Sequence, residues 1–177
     1  MKRIIFVLII TLMAVLIVLW SPFGRASEFN MTKCSVTFSP NGGTAAAIIA
    51  GIDNAKRTVR VLTYSFTSTA IADALINAHK RGVDVAVVID KTAATGNGSA
   101  LPLLQAAGVP YKVDRVHAIA HNKTIIIDNT WVETGSYNYS IAAEKSNAEN
   151  ALICKSTAAY AFYRADWEKH WAHSKDK

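Results

Sequence analysis

The chain has 177 residues, 51% of them hydrophobic, with 19 lysines and arginines against 13 aspartates and glutamates, for a net charge of +6. This is enough apolar material for the core of one ordinary domain, and the sequence shows no internal repeat of the kind a solenoid needs and no sign of a second domain. The charge is only mildly basic, so it permits a polyanionic substrate without demanding one.

The N-terminal stretch reads as a targeting segment. Met1-Lys2-Arg3 is a basic start, Ile4 to Trp20 is apolar apart from Thr11, and Ser21 to Ala26 breaks the run. Gly24 and Ala26 are small residues two apart, as a signal peptidase requires. The prediction is a signal peptide over 1–26 and a mature domain over 27–177, periplasmic or secreted. The alternative is an uncleaved anchor, because Ile4 to Trp20 lies at the lower edge of the roughly 17–25 residues that cross a bilayer. Loss of Lys2, Arg3 and Arg25 leaves 16 basic against 13 acidic residues, a net charge of +3. Cys34 and Cys154 are the two cysteines. They would pair in an oxidising compartment or stay as buried thiols, and sequence does not decide between these.

Ser35 to Ser39 alternates as a strand should, and Pro40 to Gly43 is a turn. Thr44 is set to cap a helix from Ala45 to about Asn54. Thr58 to Thr63, rich in β-branched residues, is a second strand. Ser68 or Thr69 opens a helix over Ala70–Arg81 that Gly82 ends. Val83 to Ile89 is apolar enough to be buried on both faces of a sheet. Thr92 to Ser99 reads as a flexible small-residue loop; it lacks the lysine and spacing of a phosphate-cradling loop. Ala100 to Ala107 is a short helix, and Val109 to Val113, Lys123 to Asp128, Trp131 to Thr134 and Ala148 to Cys154 are strands. Ser156 caps a last helix running to about His173. Helices alternating with strands, then hairpins, give an α/β domain with a mixed β-sheet flanked by helices.

The chemistry concentrates between His121 and Asn150. His121 and Lys123 are two apart at the start of an apolar strand, so their side chains share a face. An ammonium beside an imidazole makes an anion site containing a nucleophile. Ser136 and Asn138 offer neutral donors to phosphate oxygens, and Gly135 allows a sharp turn out of the strand. Glu149 would fix the tautomer of His121 and stabilise its imidazolium. Asp128, five residues beyond Lys123, faces away on a regular strand and suits a structural role, fixing the turn or pairing with a cation.

His121-x-Lys123-x4-Asp128-x6-Gly135-Ser136 resembles the His-Lys-Asp motif of the phospholipase D superfamily. Asn138 and Glu149 are similar to the pattern of its small bacterial endonucleases, the Nuc type. The resemblance implies the phospholipase D-like fold with one motif per chain, and His121, Lys123, Asp128 and Glu149 as catalytic residues. Lys123, Ser136 and Asn138 would bind the substrate phosphate, and no metal or cofactor would be needed. It further implies a phosphohistidine intermediate on His121 and a homodimer whose two His121 side chains share one site. The expected activity is hydrolysis of DNA, with RNA as a second substrate and no base code. A phospholipase or phosphatidyl transferase is the alternative, which a membrane-retained leader would favour, and a catalytically idle nucleic-acid-binding module is a third.

The remaining histidines read otherwise. His117 and His121 have the spacing of a helical zinc pair, but no helix is expected there and Lys123 would repel a cation, so His117 is set to line the cleft. His79, His170 and His173 read as solvated helix-end residues. Phe162, Tyr163, Trp167 and Trp171 form an aromatic stripe expected in the core. Tyr137 and Tyr139 would either stack on a base or pack a dimer seam. Tyr64, Ser65 and Phe66 are placed to border the site.

Overall fold

The computed structural model describes residues 33–175; the leader read from the sequence lies outside them. The elements in chain order are β1 (Cys34–Ser39), α1 (Thr44–Asp53), β2 (Thr58–Thr63), α2 (Thr69–Lys80), β3 (Asp84–Asp90), α3 (Lys91–Thr95), α4 (Leu101–Ala106), β4 (Tyr111–Asp114), β5 (Lys123–Ile127), β6 (Trp131–Gly135), α5 (Ile141–Lys145), β7 (Glu149–Lys155) and α6 (Thr157–His173). They build one seven-stranded sheet in the order β1-β7-β6-β5-β2-β3-β4. The β2–β3 and β3–β4 pairs are parallel, each closed by a helical crossover, and the other four are antiparallel.

The middle strands are buried on both faces because their sequences carry no polar face. Every residue of β3 after Asp84 is buried. Along β2, Val59 and Val61 enter the larger core, with Ile48 and Ile52 of α1, Ile71 and Leu75 of α2 and Leu104 of α4. Leu62 points the other way and meets Trp167 of α6 together with Val88. Ile126 and Val132 meet Ala159 and Tyr160 on that second face. In the aromatic stripe of α6, Trp167 is core, Tyr163 and Trp171 pack partly buried against the core, and Trp167 Nε1 donates to the Val61 carbonyl at 2.9 Å. Phe162 is the exception, facing solvent.

Ser68 and Ser156 cap α2 and α6 through bonds from the Ile71 and Ala159 amides. Helix α1 starts differently from the expectation. It is entered through Gly43 in the left-handed region (φ 75°), and the Ala45 amide donates to Glu144 Oε2 at 3.1 Å. Thr44 spends its hydroxyl on Thr37 Oγ1. The stretch expected as a flexible loop after β3 begins with helix α3, because Asp90 Oδ1 accepts from the Thr92 amide at 2.8 Å and nucleates a turn.

Cys34 and Cys154 stand opposite each other on β1 and β7, Cα atoms 4.1 Å apart, and form a disulfide. Among the described residues, no helix is long and apolar enough to cross a membrane.

Candidate active site

Sheet topology brings the motif together. Strand β5 begins at Lys123, and its antiparallel neighbour β6 ends at Gly135. Strand β7 begins with Glu149 beside that end, and β2 finishes there with Thr63 opposite Lys123. His121, Lys123, Ser136, Asn138 and Glu149 thus gather at one end of the sheet, where the parallel strands β2, β3 and β4 also finish.

His121 is exposed just ahead of β5, whereas Lys123 is only 5% exposed. The lysine Nζ donates to the His121 carbonyl at 2.9 Å. Tyr64, the residue after β2, joins the two side chains. Its ring centroid lies 4.6 Å from that of His121 and 5.1 Å from Lys123 Nζ, a cation–π distance. Burial pushes the Lys123 pKa down, while the charge of Glu149 pushes the other way. A buried ammonium with one carbonyl partner keeps two N–H donors for an incoming anion.

Beyond β6 the chain turns on Gly135. A Cβ there would stand 2.2 Å from the Asn150 carbonyl oxygen, which accepts the Ser136 and Tyr137 amides at 3.0 and 3.2 Å. Ser136 Oγ accepts from the Asn150 amide at 3.0 Å, which leaves its O–H free to donate to a phosphate oxygen. Asn138 Oδ1 is buried without a hydrogen-bond partner among the described residues.

Glu149 departs from its expected contact. No hydrogen bond joins it to His121 among the described residues; its Oε1 accepts from Asn147 Nδ2 at 3.0 Å. Its effect on the site is through charge, on Lys123. Tyr137 and Tyr139 serve neither expected purpose. Both are fully buried, with their hydroxyls donating to Glu144 and Glu133 at 2.7 and 2.6 Å. Tyr64, Ser65 and Phe66 border the site as expected, the Phe66 side chain being buried in the core.

Asp128, counted with the catalytic residues by resemblance, lies at the opposite end of β5 and does not join the cluster. Asp128 and Asn129 both have positive φ (50° and 67°), the signature of a tight hairpin between β5 and β6. The carboxylate accepts the amides of Lys56, Arg57 and Thr58 at 2.7, 2.8 and 2.9 Å, clamping the entry to β2. Burial alone would push its pKa up; those amides and Arg57 outweigh burial and hold it below the usual range. Asp128→Ala should therefore cost about 2 kcal/mol of stability, measured by urea unfolding. Its turnover per folded molecule should stay near that of the wild type. Because the folded carboxyl has the lower pKa, this contribution is present above the unfolded pKa and is lost as pH falls through the folded one. A fall in turnover with unchanged stability would return Asp128 to the chemistry.

Two residues that sequence reasoning passed over hold the loop leading into His121. Asp90, wholly buried at the end of β3, accepts the Ala120 amide on Oδ2 at 2.7 Å, and Lys91 Nζ donates to the His117 carbonyl at 2.7 Å. A lone acid closing an apolar strand was the available signal. An open cleft of about 200 Å³ runs from Tyr64 past Thr67 and Thr92 to Asn97 and Ser99. His117 does not line it beside His121: its ring turns to Asp114, where it meets His170 and His173. These last two are not free surface residues, His170 being 9% exposed.

Residues 48–171 match the family described as cardiolipin synthase, PLD-like domain. The chain belongs to the phospholipase D superfamily. Within it, a phospholipase D of Rickettsia conorii is 38% identical over 80% of this chain and 70% of its own length. A mitochondrial cardiolipin hydrolase of Xenopus laevis is 30% identical over 80% and 67%. The crystal structure of Nuc, a phospholipase D family member from Salmonella typhimurium, superposes with a TM-score of 0.78 at 37% identity, covering 81% of this chain and 97% of that one. The mixed seven-stranded sheet flanked by helices is the superfamily's fold, and the chain is a hydrolase of phosphodiester bonds.

Proposed function

We propose that this chain is an exported, metal-independent nuclease that cleaves DNA, and RNA as a second substrate, by phosphoryl transfer to His121. The observation that carries the reading is an exposed imidazole and a buried ammonium sharing Tyr64, which also lines an open cleft with Ser65, Thr67, Thr92, Asn97 and Ser99. An open cleft with hydroxyl and amide side chains along it suits a backbone whose phosphates are read without base contacts. The near-complete coverage of Nuc supports the same choice.

In this mechanism a ring nitrogen of His121 attacks phosphorus as the bond to one bridging oxygen breaks. Lys123, Ser136 and Asn138 donate to the non-bridging oxygens, whose charge grows in the transition state. The leaving oxygen takes a proton from a second histidine. With one motif per chain, that histidine is His121 of the partner subunit in a symmetric dimer. Water then attacks the phosphohistidine, the P–N bond breaks to free His121, and the water's proton goes to the second histidine. Glu149 holds the site's charge balance against Lys123. The Cys34–Cys154 disulfide accords with an oxidising, extracytoplasmic compartment.

A specific observation favours lipid as the second reading. Val116 and Ile119, 65% and 55% exposed, lie on the loop feeding His121 and could enter a bilayer surface, and the curated relatives include a cardiolipin hydrolase. The deciding experiment offers the mature protein single-stranded DNA, duplex DNA and cardiolipin vesicles, with His121→Ala alongside. Cleavage of DNA by the wild type alone, weakening between low and high salt, is the expected result. Lipid hydrolysis with intact DNA would overturn the nuclease reading.

A further inference from the structure

We propose that Asp114, His117, His170 and His173 bind a divalent first-row transition ion, Zn²⁺ by their chemistry, at a structural site separate from the hydrolytic one. Three ring nitrogens converge on a single carboxylate oxygen: His117 Nδ1 and His170 Nδ1 at 2.8 Å and His173 Nε2 at 3.1 Å from Asp114 Oδ2. One ligand atom from each of the four residues lies within 4.8 Å of all the others. The edges of a tetrahedron around Zn²⁺ with nitrogen and oxygen ligands are about 3.3 Å, so the shortest pairs would open by a few tenths of an ångström and the widest would close by about 1.5 Å through side-chain rotation.

Hydrogen bonding alone accounts poorly for this cluster. Asp114 Oδ1 already accepts the amides of Val116 and His117 at 3.0 and 3.2 Å. Five donors then crowd a carboxylate that has about four lone-pair sites. A cation at the centre relieves the crowding, since each imidazole then offers a lone pair to the ion. Three nitrogens and one carboxylate oxygen form a set that imidazole-binding metals such as Zn²⁺ accept.

The surroundings support an ion. The two amides on Oδ1 fix the carboxylate's orientation, and Asp166 Oδ2 lies 3.9 Å from the far nitrogen of His170. His170 and His173 occupy the last turn of α6, the negative end of a helix dipole. Lys91 Nζ donates to the His117 carbonyl, not to its ring. Solvent reaches the cluster from one side, the side chains of His117 and His173 being 45% and 30% exposed against 0% for Asp114.

Asp114 ends β4, which lies three strands from β5, so this site is about 14 Å from the start of the hydrolytic one. Four protein ligands make a closed site with no position for substrate. The ion would tie the end of β4 and the loop that leads into His121 to the C-terminal turn of α6. A chelator could then lower activity by loosening that loop, without any metal in the chemistry.

The test measures metal content of the mature protein, Co²⁺ absorption and Zn²⁺ affinity against a competing chelator. His117→Gln and His173→Gln are made alongside, because these exposed rings can be replaced without opening the core. The expected result is one Zn²⁺ per chain, the visible spectrum of four-coordinate Co²⁺, and at least about 100-fold weaker Zn²⁺ binding in each variant. In EDTA the variants should melt with the wild type, showing that they are folded. No Zn²⁺ binding, a six-coordinate Co²⁺ spectrum, or binding unaltered in the variants would overturn the proposal. None of these readouts depends on the substrate of the hydrolytic site.

Discussion

Replacing His121 by asparagine should lower kcat by about 10⁴-fold or more while leaving the protein folded. The side chain stands outside the core, and its ring packs only on Tyr64 among the described aromatic contacts, so its loss creates no cavity. Asparagine can donate a hydrogen bond to phosphate but cannot form the covalent intermediate. The loss should therefore fall on kcat rather than KM. If two histidines act as nucleophile and acid, one must be neutral and the other charged, so the wild-type rate should be bell-shaped in pH. Steady-state kinetics on a chromogenic phosphodiester reads both effects. A variant within tenfold of the wild type would mean that water, not His121, attacks phosphorus.

Glu133→Gln should change how stability depends on pH more than any other single replacement in the sheet. Glu133 is wholly buried on β6, between Ile125 and Ile153, and burial pushes its pKa up to about 8 despite the bond from Tyr139. Its folded pKa thus lies above its unfolded value of 4.5. The folded state binds the extra proton between these values, so stability is greatest at acid pH, falls as pH rises and levels off near 8. The resulting loss at pH 7 is roughly 3 kcal/mol. Glutamine keeps an acceptor for Tyr139 and cannot ionise, so the variant should show a flat profile over this window and gain on the wild type as pH rises. Urea unfolding at intervals from pH 5 to 8 would show this; parallel curves for the two proteins would mean that Glu133 is charged in the fold.

What was legible in the sequence had local causes. The apolar runs of β2 and β3 and the serines before α2 and α6 act within a few residues, and their elements form where they were expected. The motif was legible because β5, β6 and β7 are sequential neighbours, so fixed spacings become fixed positions at one sheet end. Helices α3 and α5, five residues each, are too short to show a period. Asp128 was legible as a turn residue from strand alternation, although the resemblance placed it among the catalytic groups. The histidine cluster was not legible at all. His117 and His170 are 53 positions apart, and only the packing of α6 beside β4 brings their rings within 4.8 Å. Glu144 likewise reaches 99 residues back to cap α1, a contact no local rule describes.

The disulfide also settles how the domain would bear load. β1 is an edge strand whose sheet neighbour is β7, and Cys34 is its first residue. Tension arriving from the N-terminal side would peel an antiparallel edge strand one rung at a time, starting at that residue. Here the first rung is covalent, so the pull passes into β7, which β6 holds on its other side. With the cysteines reduced, the same tension would meet hydrogen bonds singly, and β1 would unzip toward Ser39.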